Sequence, residues 1–179
     1  MGRINSKNKG NKNERDLAKS MKAWTGFDFE RVPSSGGLRW KRTTDTVGDI
    51  TCTDNRHKGA FPFCIETKFH SDINFQHLLL DVSKVKILEF WDQAKSDAKR
   101  SGKIPLLFMR YNRMPKYVWF FVLSLDFYLR IKKHLPINHE KLSYRNKTDK
   151  IIILNSGSIF NSEYKQILKT IRNGKVKKS

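Results

Sequence analysis

The stretch GDITCTDNRHKGAFPFCIETKF, residues 48–69, constrains this chain more than any other. Two apolar runs, ITC and FCIETKF, flank DNRHKG at 54–59, which is rich in turn formers, so the pattern predicts a strand pair closed by a tight connection. Asp49 stands at the start of the first strand, and Glu66 and Lys68 lie near the end of the second. Residues two apart in a strand share a face, so Glu66 and Lys68 point the same way and the hairpin can bring Asp49 beside Glu66. Paired carboxylates hold a hard divalent cation through oxygen, and a nearby ammonium can orient or deprotonate a water or offset charge on phosphoryl oxygens. The layout points to metal-dependent phosphodiester hydrolysis.

The partner follows from charge. Among 179 residues, 36 basic side chains against 17 acidic ones give a net charge of +19. That is far beyond what solubility requires, and such a field attracts polyanions, nucleic acid first. An anionic membrane competes, but no apolar run approaches the roughly 18 residues that spanning requires, and the N-terminus lacks the apolar core of a signal peptide. An intracellular, soluble protein is expected, cytoplasmic or nucleoid-associated. A hydrophobic fraction of 38% supports one domain, taken as 13–172, between a basic arm at 1–12 and a basic tail at 173–179. Cys52 and Cys64 have no companion cysteines and no CxxC spacing, so they read as buried free thiols.

The opening MGRINSKNKGNKN carries Arg3, Lys7, Lys9 and Lys12 without an acid and reads as a mobile arm for phosphate contact. From Glu14 to about Ala23, Leu17, Ala18 and Met21 fall at helical spacing, with Glu14 on the same inward stripe. Glu14 is therefore a candidate third carboxylate, as a direct ligand or through water. Arg15 points partly away from it and suits a backbone phosphate. Residues 24–30 predict a first strand or a turn into one. The following RVPSSGGLRWKRTTDTVGD combines Arg31, Ser34, Ser35, Arg39, Lys41 and Arg42 with Gly36 and Gly37, a donor-rich loop able to close over a nucleic-acid strand. Asp45 in that loop rivals Asp49 for the metal; Asp49 is preferred because it adjoins Ile50 and the hairpin.

Beyond the hairpin, 70–80 changes from loop to helix. Val85, Leu88, Trp91, Ala94 and Ala98 form an apolar helical stripe, and Lys86, Phe90, Gln93 and Asp97 form an adjoining one. Gln93 is placed to reach the metal cluster or a bound nucleotide. Residues 106–110 and 117–123 are nearly continuous apolar runs, expected as central strands covered by helices. In the last third, 127–135 predicts a helix, 151–154 a strand and 162–171 a terminal helix, while INHEKLSYRNKTDK reads as a polar loop.

NERDLAK at 13–19, RVPSSGG at 31–37, GDI at 48–50, IETK at 65–68 and WDQAK at 91–95 together resemble the PD-(D/E)xK, restriction-endonuclease-like nucleases, in particular the archaeal and phage Holliday junction resolvases. The resemblance covers roughly residues 12–123 and implies an α/β core with a central mixed sheet flanked by helices. It implies that Glu14, Asp49, Glu66 and Lys68 are catalytic, with Gln93 supplied by a downstream helix and Ser34 or Ser35 near the scissile strand. Gly48 replaces the proline of the family pattern.

The expected reaction is hydrolysis in which Asp49 and Glu66 bind Mg2+, or Mn2+ in its place, Glu14 contributes directly or through a second ion, and Lys68 positions the nucleophile. The resemblance implies 5'-phosphate and 3'-hydroxyl products and a homodimer acting on branched DNA. A nicking, flap-cleaving or other repair nuclease is the alternative enzyme. A non-catalytic nucleic-acid-binding protein explains the charge but leaves the co-facial Glu66 and Lys68 without a purpose.

Overall fold

The computed structural model describes residues 6–32, 47–71, 73–80 and 85–176. They build a seven-stranded mixed sheet in the order β1-β2-β3-β4-β5-β7-β6. The strands are β1 (Phe29–Arg31), β2 (Ile50–Cys52), β3 (Phe63–His70), β4 (Ile104–Tyr111), β5 (Phe120–Ser124), β6 (Lys141–Arg145) and β7 (Lys150–Asn155). Only β3 and β4 pair in parallel, with Glu66 opposite Leu107 and Phe69 opposite Arg110; the other neighbours are antiparallel. A parallel pair needs a crossover, and the short α2 (Gln76–Leu79) and long α3 (Lys86–Ser101) provide it.

Side chains alternate across the central strands and divide the core in two. Leu106 and Phe108 of β4 pack with Leu17 and Met21 of α1 (Ser6–Thr25), Phe127 and Ile131 of α4 (Leu125–Ile131), Ile159 of α5 (Gly157–Phe160) and Ile167 of α6 (Tyr164–Val176). Leu107 and Met109 pack the other way, against Leu78 of α2 and Ile87, Trp91 and Ala94 of α3. Burial on both faces is why 106–109, 119–123 and 151–154 read as almost unbroken apolar runs, although the strand expected over 117–123 begins only at Phe120 and Tyr117 is exposed. β3 obeys the same alternation: Phe63 and Ile65 face α1, whereas Cys64 packs beside Ala98 of α3. The expected α/β architecture, a mixed sheet flanked by helices, is the one observed.

Four local expectations need correction. α1 begins at Ser6, so residues 6–12 belong to the helix and not to a mobile arm. They have tertiary partners: Lys9 donates to Asn112 at 3.2 Å, and Asn11 accepts from Arg31 at 2.9 Å. At its other end α1 runs through Trp24 to Thr25, and the first strand is confined to 29–31. The third concerns 137–150, which contains β6 instead of being loop throughout. As an edge strand with Lys141, Ser143 and Arg145 outward and only Leu142 and Tyr144 packed inward, it carries little apolar signal. In α3, Ile87 takes the fully buried place and Leu88 is only half-buried. The helix stops at Gly102, whose φ of 64° closes the end by donating to the Ala98 and Lys99 carbonyls. Among the described residues, no helix is long and apolar enough to cross a membrane.

Candidate active site

The hairpin places Asp49 by its backbone before its side chain matters. Its N–H donates to the Ile65 carbonyl at 2.9 Å and its carbonyl accepts from Val32 N–H at 2.8 Å, so the residue is held between β1 and β3. Gly48 makes this possible. Its φ is +95°, and a Cβ there would stand 2.6 Å from the Ile65 oxygen. Proline, locked near φ −65°, is therefore excluded at the position where the family pattern has it.

From that anchor the Asp49 carboxylate accepts the Thr67 backbone N–H at 2.9 Å and interacts electrostatically with Glu66. Glu66, 1% exposed, turns towards α3, where its Oε1 accepts from Lys68 Nζ at 2.6 Å and from Gln93 Nε2 at 2.7 Å. Lys68 also lies over the Phe90 ring, 5.8 Å from its centre. The four residues Asp49, Glu66, Lys68 and Gln93 are thus assembled as expected from the chain pattern.

Burial, followed by the charge of Asp49, pushes the Glu66 pKa up to about 7 against the opposing pull of Lys68. Burial also raises Asp49, although the Thr67 N–H and the Lys68 charge work against it. Two buried carboxyl groups that resist shared ionisation form an oxygen donor set that a hard divalent cation would relieve. The chemistry of the two residues fits such an ion, which Asp49 and Glu66 could hold between them.

Glu14 does not complete a three-carboxylate cluster. Among the described residues, no group of three His, Cys, Asp or Glu side chains is placed to hold an ion. Arg31 on β1 takes the Glu14 carboxylate instead, Nε to Oε2 at 2.7 Å. Burial raises the Glu14 pKa, Arg31 opposes that shift, and the charge of Asp49 adds to it, so Glu14 feels the site without joining it. The same contact alters the expectation for Arg31, which spends donors on Glu14 and Asn11 inside the protein. Arg15 is exposed on α1. Ser34, Ser35, Arg39, Lys41, Arg42 and the rival Asp45 lie outside the described residues.

Three contributors escape a reading of spacing alone. Buried Asn13 donates to Thr67 Oγ1 at 2.8 Å and accepts from Trp119 Nε1 at 2.7 Å. This bridge fixes α1 to the residue between Glu66 and Lys68. A signal existed: Asn13 is a polar residue four places before Leu17, on the buried side of the helix. Phe90 and Asp97 share the α3 stripe with Gln93; Phe90 seats Lys68, and Asp97 adds negative charge that raises both Asp49 and Glu66.

Residues 5–170 match the family described as "Phage putative PDDEXK endonuclease". The chain belongs to that family. The protein is a nuclease of this class. It is also similar to Protein D14 of Escherichia phage T5, 24% identical over 110 residues that cover 62% of this chain and 67% of the relative. Among solved structures, it is similar to Hjc of Archaeoglobus fulgidus, a Holliday junction resolvase, at 17% identity and a TM-score of 0.37, covering 90% of this chain and 96% of Hjc.

Proposed function

We propose that this endonuclease is a Mg2+-dependent enzyme that cuts branched DNA, foremost four-way junctions, leaving 5'-phosphate and 3'-hydroxyl ends. The observation that carries the chemistry is the buried Asp49–Glu66 pair with Lys68 bonded to it, facing helix α3. A divalent cation held by Asp49 and Glu66 would supply charge to the scissile phosphoryl group and acidity to the attacking water. Lys68 holds its ammonium 2.6 Å from Glu66 Oε1, where it can orient that water and offset charge on a phosphoryl oxygen. Gln93 fixes the Glu66 rotamer from the opposite side, and Glu14 keeps Arg31 turned inward near the Asp49 end. Arg15 and the basic loop at 33–46 are assigned to the DNA backbone, and 13–172 to a single nuclease unit acting as a homodimer in the host cytoplasm.

The junction preference rests on the order of motifs along the chain. A flap- or nick-processing nuclease is the second reading, favoured by a narrow basic cleft on the α1 face of the sheet. Incubation of the protein with a labelled immobile four-way junction, a flap and a linear duplex, in Mg2+ and in EDTA, separates the two. Symmetric nicks confined to the junction support the resolvase, and preferential cutting of the flap supports the alternative. Asp49→Asn and Glu66→Gln should each lower cleavage by about three orders of magnitude or more while leaving DNA binding largely intact. Wild-type turnover in either variant under Mg2+ would sink the assignment.

A further inference from the structure

On the sheet face opposite Glu66 and Lys68, α1 and the ends of β3 and β4 enclose a cleft of about 400 Å³. Its placement follows from strand alternation: Phe69 is one residue beyond Lys68 and so turns to the other face, where it stands in register with Arg110. The Lys9, Lys12 and Arg15 side chains line the cleft from α1, and Lys116 lines it from the β4–β5 loop. One acid, Asp16, is also in the lining, so the charge remains strongly positive.

The cations divide into fixed and available ones. Lys9 is anchored by Asn112. Arg110 lies over the Trp119 ring and donates to the Met114 and Pro115 carbonyls, holding the loop that presents Lys116. Its Nε is buried without a hydrogen-bond partner among the described residues. That same loop keeps Arg113 and Tyr117 at φ 70° and 61°, on either side of Lys116, a conformation side chains other than glycine rarely adopt without a reason. Lys12, Arg15 and Lys116 form no ion pair among the described residues, and Lys116 rests over the ring of its exposed neighbour Tyr117, 4.7 Å from its centre.

We propose that this cleft is a subsite for an unpaired strand of the DNA substrate, with Lys12, Arg15 and Lys116 meeting its phosphates and Phe69 meeting a base. The inference rests on the nuclease reading and adds to it a second contact region, across the sheet from the carboxylates. The size decides between strand and duplex: a volume of this order holds one small molecule or nucleotide and does not admit a double helix. Cations combined with a half-buried aromatic ring are the means by which proteins hold single strands without reading sequence. At a branch point or flap, such a strand is available beside the scissile phosphate.

The test is binding of a labelled single-stranded oligonucleotide and of its duplex in EDTA, followed by anisotropy across a salt series. Lys12→Gln combined with Lys116→Gln removes two contacts and should reduce the slope of log Kobs against log salt by about 1.4 for the single strand, at about 0.7 per phosphate. The same charge change at exposed Lys132 and Lys133, remote in the chain, should leave the slope unaltered. Phe69→Leu should weaken single-strand binding by about fivefold or more with the slope retained. An unchanged slope in the Lys12/Lys116 variant, an equal fall at Lys132/Lys133, or a loss confined to duplex would overturn the subsite. Cleavage under Mg2+ is scored separately: a protein that shows the expected slopes yet cuts no DNA keeps the subsite and loses the enzymatic reading.

Discussion

At the scale of single residues, the site is governed by two acids that the fold forces together. Glu66 has a pKa of about 7 against an ordinary 4.5, so between those values the metal-free folded chain retains a proton that the unfolded chain has released. The folded state then binds more protons, and its stability must fall as pH rises through that window. The contribution of Glu66 is full below about 4.5 and lost above about 7. Ion-paired carboxylates elsewhere have the opposite slope, so the measurement is a difference: Tm against pH in EDTA for wild type and for Glu66→Gln. The variant should gain stability relative to wild type as pH rises, and parallel curves would remove the explanation. Gly48 is as demanding in another way. Gly48→Ala places a Cβ 2.6 Å from a backbone oxygen at a φ of +95°, at a cost of at least about 1–3 kcal/mol. Because the strain is relieved by moving Asp49, cleavage should fall by about a hundredfold or more even where thermal melting shows the variant folded.

At the scale of elements, helix α1 does more than cover the sheet. Asn13 spans from Thr67 to Trp119, and its neighbour Glu14 takes Arg31, so one turn of helix ties β1 and the residue before β5 to β3, the strand that carries Glu66 and Lys68. Asn13→Ala leaves a buried hydroxyl and a buried indole N–H without their partner, each worth roughly 1–3 kcal/mol. A loss of about 2–6 kcal/mol is expected, seen as a Tm lower by about 4–24 °C, with restoration of neither stability nor activity by added Mg2+. A wild-type Tm would show that water replaces the amide. The contrast between what was legible in the chain and what was not has a physical basis. Asp49, Glu66 and Lys68 could be read because strand alternation and a short connection dictate their neighbours locally. Gln93 followed from helical spacing along α3. Phe90 and Asp97 fall on that same stripe, but their contacts, like those of Asn13, come from packing between elements far apart in sequence, which periodicity does not encode. β6 was missed because an edge strand with one wet face needs few apolar residues, and the true start of α1 was missed because lysines and asparagines do not look like a helix until Asn112 and Arg31 give them partners.

At the scale of the whole molecule, a charge of +19 surrounds a site whose own groups are acidic. In the proposed reaction the positive field would draw DNA in and the carboxylates would hold a cation against the phosphate, so attraction and chemistry would be separated in space. Resolution of a four-way junction demands one further thing: two incisions, on opposing strands. The described residues hold one Asp49–Glu66 pair, so paired cutting requires a second copy, and a two-fold dimer places the two sites symmetrically. The edge formed by β6 is a poor surface for that pairing, since Lys141 and Arg145 project from it and charged edges resist strand addition. Light scattering should therefore give twice the 21.0 kDa mass of the chain, with the β6 edge left free. The functional counterpart is a supercoiled plasmid bearing an extruded cruciform, in which a first nick releases the torsion and the junction is reabsorbed. Only an enzyme that makes both cuts before it dissociates converts such a plasmid directly to linear DNA. Linear product appearing without accumulation of nicked circles is the expected result. Nicked circles formed first by a species of single-chain mass would instead mean that one carboxylate pair works alone, and would move the enzyme to the processing of flaps and nicks.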